Sequence, residues 1–478
     1  MSVFSFARRL RLPLAGCLLG LLLGHAAPLQ AAEIKIQGGE PSAMPDFPHP
    51  LLASERYTLP NGLAVVLHPD HRAARVETQV WYRVGSLDEP LGQTGIAHAL
   101  EHMMFRGTKN LPGDGFAKRV HELGGSENAY TTSDNTYYYI QLPARYLKEA
   151  LALEADRMRN LDLKDADFKT EIEVIKEERR LRYDNNPVML MNEQLDKLTF
   201  GNTRPGIAVI GSMADLESLQ PQQLRDWYQQ WYVPGNATLV IAGDFDPAQA
   251  RALVQQHFGA IPARAAPARP DVAPALAAEK DEPRRVVVKA PSYNSYVSFR
   301  WSLPGELPAD DIAALQVLAR MLNGEYQTTS LAEASSALSS DFSWLGREAP
   351  SFSLIAAKSA DRSLSTLEGA MHKQARLLQG AGLYRETLER AQRRVLTEQI
   401  FQYDALSNKT MHLGLLYSMG ETPESWVANL QRTQAVKLKD LERVAERYLI
   451  DKYLTIAVLD ALPPEKNQPV NVEMNHGR

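Results

Sequence analysis

The stretch GIAHALEHMMFRGT, Gly95 to Thr108, decides how the rest of this chain is read. On a helix of ~3.6 residues per turn, Glu101 falls about 60° to one side of His98 and His102 about 40° to the other. Two imidazoles and a carboxylate therefore face one point. Neutral imidazoles at i and i+4 can share a zinc ion, as on the H-E-x-x-H helix. Here the order is inverted, with Glu101 directly before the second histidine. A catalytic zinc takes three protein ligands and keeps one position open, so a third ligand must come from elsewhere. The sequence holds one cysteine, Cys17, in an N-terminal segment expected to be removed. The third ligand is therefore expected to be acidic.

Its best source is DADFKTEIEVIKEERRLR, Asp165 to Arg182. Glu171 and Glu178 are seven apart and lie within ~20° of each other, two turns separated. Val174 and Ile175 share that face, which is expected to pack against the domain. An acid on a packed face needs a partner, and a metal is one. Glu177 points ~100° away, toward solvent. Glu178 is the favoured third ligand, with Glu171 and Glu177 competing for the place.

At 478 residues the chain exceeds one ordinary core and predicts two or more domains. It is 44% hydrophobic and 23% charged, with a mean hydropathy of -0.30, as in soluble globular proteins. A formal net charge of -5 leaves no basic stripe for phosphates, which excludes nucleic acid as the main partner. Arg8, Arg9 and Arg11, the apolar run Leu14 to Leu23 and the exit Gln30-Ala31-Ala32 read as a signal peptide over residues 1–31. The run is shorter than the ~20 residues of a spanning helix, so no stable membrane span is expected. Leu14 to Cys17 spells LAGC, like a lipoprotein signal. However, the apolar run continues through Leu18 to Leu23, so lipid anchoring at Cys17 is not expected. The expected destination is a periplasm.

A Pro- and Ala-rich stretch, Ile261 to Pro283, has no helical or alternating period and reads as a linker. The halves on either side look like a divergent repeat. LRDWYQQWYVPGNATLVIAGD (Leu224 to Asp244) and LERVAERYLIDKYLTIAVLD (Leu441 to Asp460) each run from helix to strand. VETQVWYRVGS (Val76 to Ser86) and NSYVSFRWSLPG (Asn294 to Gly305) are each alternating, half-buried strands. The expected fold class is α+β, in two homologous domains, each a largely antiparallel sheet packed with helices. The expected divisions are a signal at 1–31, an extension at 32–50 and a catalytic domain at 51–262. A linker at 263–284, a second domain at 285–465 and a tail at 466–478 follow.

HALEH, with FRGT, GGSENAYTTSDNTYYY (Gly124 to Tyr139) and EIEVIKEERRLR, resembles the pitrilysin/insulinase family of zinc metallopeptidases. The size resembles its two-domain, mitochondrial-processing-peptidase-like branch, as a bacterial exported member. The specific motifs are confined to residues 95 to 182. The resemblance implies one Zn²⁺ on His98, His102 and Glu178, Glu101 as general base, and Glu171 as a second acid supporting the site. It also implies that a peptide substrate lies along an edge strand at Asn128 and Ala129, and that the two domains form half of a clamshell. In the second half, AALQVLARMLNG (Ala313 to Gly324) stands where the zinc helix would be, without His or acid. That matches the family's silent domain. The Arg and Tyr that other members carry there have no match in SSALSSDFSWLGREAPSFS (Ser335 to Ser353). A homodimer, or a heterodimer with a non-catalytic family subunit, is therefore expected.

The implied reaction is hydrolysis of extended, unstructured peptides by a zinc-activated water, with Glu101 taking its proton. Main-chain pairing at a sheet edge reads backbone more than side chains, so specificity is expected to be broad. Each residue has a plainer reading too. Glu171 could simply pair with a nearby Arg or Lys, and Asn128 could close a turn after Gly124 and Gly125. His68 and His121 read as packing or surface residues, and Tyr137, Tyr138 and Tyr139 as strand and core. Two other functions stay open: a scaffold subunit that keeps the fold, and a maturase that trims one defined peptide.

Overall fold

The computed structural model describes residues 49–275, 282–323, 326–380, 382–463 and 471–475. The expected signal peptide, and Cys17 with it, lies outside them. The strands of the first half are β1 (Glu55–Thr58), β2 (Ala64–Pro69), β3 (Arg75–Tyr82), β4 (Ser126–Thr131), β5 (Thr136–Pro143) and β6 (Ala237–Gly243). Those of the second are β7 (Arg284–Pro291), β8 (Tyr296–Ser302), β9 (Ser335–Ser343), β10 (Ser351–Lys358), β11 (Leu454–Leu462) and β12 (Asn471–Asn475). Among the described residues they form two six-stranded sheets, ordered β1-β2-β6-β3-β5-β4 and β12-β7-β11-β8-β10-β9.

The two sheets repeat one plan. Each has a single parallel pair, β2 with β6 and β7 with β11, and is otherwise antiparallel. They differ at one outer strand. In the first sheet it is β1, from before the repeat; in the second it is β12, within the stretch expected as a tail, pairing with β7. The chain is thus two sheet-plus-helix domains of the α+β class. The linker stretch from Ile261 to Ala275 carries no helix or strand, only a bridge from Ala265 to Gly235.

Each sheet lays one face on helices of its own half. In the first, Leu100 of helix Ile96–Met103, Leu151 of Leu147–Asn160 and Trp227 of Pro221–Trp231 close a core over Val65, Val80, Ile140 and Leu239. In the second, Leu315 of helix Ala309–Leu322 and Leu441 of Leu438–Tyr448 close one over Phe299, Leu354 and Ile456.

The opposite faces are covered by exchange. Helix Leu406–Met419 of the second half sets Leu413 and Leu416 on Val66, Trp81 and Val240 of the first sheet. Helix Pro187–Phe200 of the first half sets Met191 and Leu195 on Val286, Val288, Ala457 and Leu459 of the second. Both halves accordingly belong to one compact unit, Asp46–Arg478. The exchange corrects the expectation of half-buried strands: in β3 every residue after Arg75 is buried, and in β8 all but Tyr296 and Arg300 are, while β6, between β2 and β3, is buried throughout. At the closest approach Gly414 lies on the Trp81 indole, where any Cβ would collide with the ring. No helix among the described residues is long and apolar enough to cross a membrane.

Candidate metal centre

The helix Ile96–Met103 starts at Gly95, whose φ of 88° lies in the left-handed region. A Cβ there would also strike the Ile210 carbonyl, so only glycine fits. The helix's first amides have no intrahelical partner. The buried Glu89 carboxylate supplies one, accepting from Gly95 N–H at 2.9 Å and Ala97 N–H at 3.0 Å. Burial pushes the Glu89 carboxyl up to about 8, against the pull of those two amides. No periodicity argument points to Glu89, which precedes the helix and acts through backbone.

His98 and His102 stand edge to face with ring centroids 4.7 Å apart. Helix Asp165–Arg179 brings Glu178 to them: its Oε2 is 3.9 Å from His98 Nε2 and 3.3 Å from His102 Nε2. One ligand atom from each of the three residues lies within 4.8 Å of the others. No other group of three or more His, Cys, Asp or Glu converges this way among the described residues. The donor set, two imidazoles and a carboxylate, suits zinc with one position left open. Burial pushes His98 down to about 4, so it is a neutral imidazole at neutral pH, as a ligand must be. Burial raises the Glu178 carboxyl, but His102, His98 and Arg182 outweigh it and leave its pKa below the ordinary value. Arg182 Nη1 holds the other Glu178 oxygen at 2.8 Å.

Glu171, two turns earlier on the same helix, reaches His102 from behind. Its Oε2 is 3.1 Å from His102 Nδ1, and its other oxygen pairs with Arg106. A proton on Nδ1, donated to that carboxylate, leaves the Nε2 lone pair facing Glu178. The Arg pairing and the place behind a ring of the site therefore coexist in Glu171. On this helix Ile175 is buried while Val174 is 47% exposed, because the packed arc is narrower than the spacing suggested. Glu177 is exposed, against Arg180.

Glu101 sits beside the three-residue cluster, and Thr131 Oγ1 donates to its Oε2 at 2.6 Å. Burial raises the Glu101 pKa, while Thr131 and His102 pull it back. Thr131 lies in the GGSENAYTTSD stretch, and alternation puts it on the same face of β4 as Ala129.

The structure places Asn128 and Ala129 on β4, the outermost strand of its sheet, paired with β5 alone. Ala129 is buried, and the Asn128 carboxamide oxygen accepts the Ala129 N–H at 2.9 Å. His68, Tyr137 and Tyr138 are buried and His121 is exposed.

Two family models match the chain: insulinase (peptidase family M16) over residues 64–212 and the peptidase M16 inactive domain over 218–395. Zinc protease PqqE of Helicobacter pylori is 33% identical over 271 residues, 56% of this chain and 60% of that protein. Probable zinc protease PqqL of Escherichia coli is 32% identical over 226 residues, 44% of this chain and 23% of that protein. The matched stretches thus span less than two thirds of these relatives, 60% of the first and 23% of the second. Among solved structures, a protease from Helicobacter pylori aligns with a TM-score of 0.77 at 26% identity, covering 85% of this chain and 99% of that one. PqqL itself, described as a periplasmic protease, shares the fold at a TM-score of 0.73 and 22% identity, over 86% of this chain and 49% of that one.

Proposed function

From a chain that belongs to peptidase family M16, the insulinase family, we propose a zinc-dependent endopeptidase acting on extended, unstructured peptides. The observation that carries this is the convergence of His98, His102 and Glu178 with a fourth side chain, Glu101, beside them and outside the ligand set. Those three residues would hold one Zn²⁺, which supplies Lewis acidity to polarise a carbonyl and acidify water.

The remaining work falls to the chain. Glu101 takes the proton of the attacking water and returns it to the leaving amine. Its raised pKa favours that second half of the cycle, and the Thr131 hydroxyl fixes which oxygen is free. Glu171 fixes the tautomer of His102. The free edge of β4 receives the substrate as an added strand, with the Asn128 and Ala129 backbone aligning it. That mode excludes folded proteins and reads side chains weakly.

The N-terminal signal and the periplasmic description of PqqL together support a periplasmic location for this chain. A second family subunit could complete the substrate contacts that the silent half lacks.

The test is hydrolysis of a quenched, unstructured peptide by the zinc-loaded mature chain, with Glu101→Gln as control. Wild type is expected to cleave, and the variant to bind one zinc without cleaving. Cleavage that survives Glu101→Gln refutes the base assignment. If neither cleaves although both bind zinc, the chain alone is not a peptidase, and a second family subunit is added next.

A further inference from the structure

Between the two halves four charged side chains meet. Asp88 and Asp134 come from the first half, Arg269 from the linker stretch, and Arg347 from the connection between β9 and β10. Arg347 Nη2 is 2.9 Å from Asp88 Oδ1, and its Nε is 2.8 Å from Asp134 Oδ1. Its backbone N–H also donates to Asp134 Oδ2 at 3.1 Å. Arg269 donates to both Asp88 oxygens, at 3.0 and 2.8 Å, and to the Asp134 carbonyl at 2.8 Å. The Asp88 side chain is 0% exposed and that of Asp134 6%. Gly346, with φ 134°, lets its backbone come against Asp134 where a Cβ would not fit.

The two aspartates sit at the roots of the proposed active site. Asp134 is in the turn that joins β4 to β5, three residues after Thr131, whose hydroxyl holds Glu101. Asp88 accepts from Gly85 N–H at 2.9 Å and directly precedes Glu89, which holds the first amides of the zinc-site helix. The two roots are tied to each other by Ser86 N–H to the Thr132 carbonyl at 3.1 Å and Leu87 N–H to the Ser133 carbonyl at 3.0 Å.

We propose that Arg347 of the silent half is a positioning residue for the catalytic one, holding the β4–β5 hairpin and the residue 85–89 loop in register so that Thr131 keeps Glu101 aimed. This rests on the peptidase reading above. Arg suits the task because one planar guanidinium bridges two carboxylates on different loops, which the point charge of Lys does not reproduce. Loss of the Arg347 side chain leaves Arg269 as the one remaining guanidinium between two nearly buried carboxylates, each otherwise held by a single backbone N–H. The hairpin turn is then free to shift, and a shift of ~1 Å costs about 100-fold in rate when it moves a reacting group. The halves stay joined without Arg347, since the exchanged helices Pro187–Phe200 and Leu406–Met419 bury their own apolar contacts.

The experiment compares wild type, Arg347→Ala and Arg347→Lys, each with and without Thr131→Val, in the zinc-loaded mature chain. It reads zinc content, kcat and KM on the quenched peptide, and amide exchange over residues 126–143. Arg347→Ala is expected to keep one zinc, lose 10- to 100-fold in kcat/KM mainly through kcat, and exchange faster in the hairpin. Arg347→Lys, the milder variant if Ala fails to fold, is expected to fall between. With Thr131→Val already present, the further loss from Arg347→Ala should shrink below threefold, since both act through one aim of Glu101. A purely structural bridge would lower stability but leave kcat and that coupling untouched, and this result overturns the proposal. So does unchanged exchange, or faster exchange with kcat/KM within twofold of wild type. If wild type cleaves nothing, the peptidase reading is what fails. The hold on the hairpin is then judged by exchange alone, and unchanged exchange overturns it.

Discussion

Glu171→Gln keeps the shape of the side chain and an acceptor oxygen but removes the charge behind His102. The carboxylate lies 3.1 Å from His102 Nδ1, and its side chain is 6% exposed. A hydrogen bond to a charged group contributes about 1.5–3 kcal/mol against about 1 kcal/mol for a neutral one. The difference, roughly 0.5–2 kcal/mol, falls on the tautomer of His102 that leaves Nε2 toward Glu178. Zinc affinity is therefore expected to drop about 2- to 30-fold. Glu171→Leu leaves the Nδ1 proton with no acceptor and should reach the upper end of the roughly 10- to 100-fold range of such outer partners. Arg106, which loses its partner in both variants, is 44% exposed and returns to water, so it adds little. Glu178→Gln, which alters a proposed ligand, should cost more than either. Competition against a chromogenic zinc chelator at fixed pH measures all three without any need for catalysis. Glu171→Leu binding zinc within twofold of wild type would refute the reasoning.

His68 and His412 are both buried and pushed down to about 4, chiefly by burial, with Lys409 adding at His68 and His49 at His412. The unfolded chain takes up their protons first. Stability should therefore fall as pH drops from about 6.5 toward 4, by on the order of 3 kcal/mol for each. Urea midpoints at pH 7.5 and 5.5 test this, and an unchanged slope in His68→Leu or His412→Leu would count against it. Gly414→Ala should lower Tm by several degrees, because the added methyl meets Trp81, itself stacked on Tyr137 at 4.0 Å and bonded to Gln79 at 2.7 Å. An open helix position would gain about 1 kcal/mol from the same change, so a rise in Tm by calorimetry sinks the packing argument. Arg157→Met strands Glu154 with its side chain 2% exposed and should cost about 3–5 kcal/mol, whereas adding Glu154→Leu should recover most of it. Denaturant titration of the single and double variants decides, and a double variant as unstable as the single contradicts the account.

The convergence at the candidate metal centre was legible because its information is local. His98, Glu101 and His102 share one helix, and helical spacing alone aims them at one point. Glu178 and Glu171 share another helix, and the same spacing puts them on one face two turns apart. What that spacing could not divide between them was role: the site side for Glu178 and the back of His102 for Glu171. That division depends on the distance between two helices far apart in sequence. Thr131 and Glu89 were missed for a related reason. Thr131 stands in the alternation of β4, but its hydroxyl partner Glu101 lies on a helix distant in sequence, whereas Glu89 acts through backbone amides and leaves no side-chain pattern. Val174 shows the limit of periodicity in the other direction: an apolar residue on the expected face is exposed, since only part of that face meets the sheet domain.

The exchange of helices was illegible for a stronger reason, and it changes what the silent half is for. The apolar residues of LSNKTMHLGLLYSM read the same whether they cover their own sheet or the other one. Only Gly414, small at a position facing a tryptophan, hints at a particular partner surface. Once the partner is known, the doubly buried β3 and β6 follow, because Val66, Trp81 and Val240 form an apolar outer face on which the first half sets only Leu51 among the described buried residues, and Leu413 and Leu416 of the second half cover the rest. Cut off from the second half, the first sheet would expose that face to water, a patch that drives association rather than stable folding. The second half is therefore required by the first whatever it does in the reaction. A domain held in place for its packing can lose the zinc residues at no structural cost, since Ala313 to Leu322 needs only apolar and small side chains to close its own core. It is also free to acquire a contact such as Arg347, which acts on the reaction from outside the site.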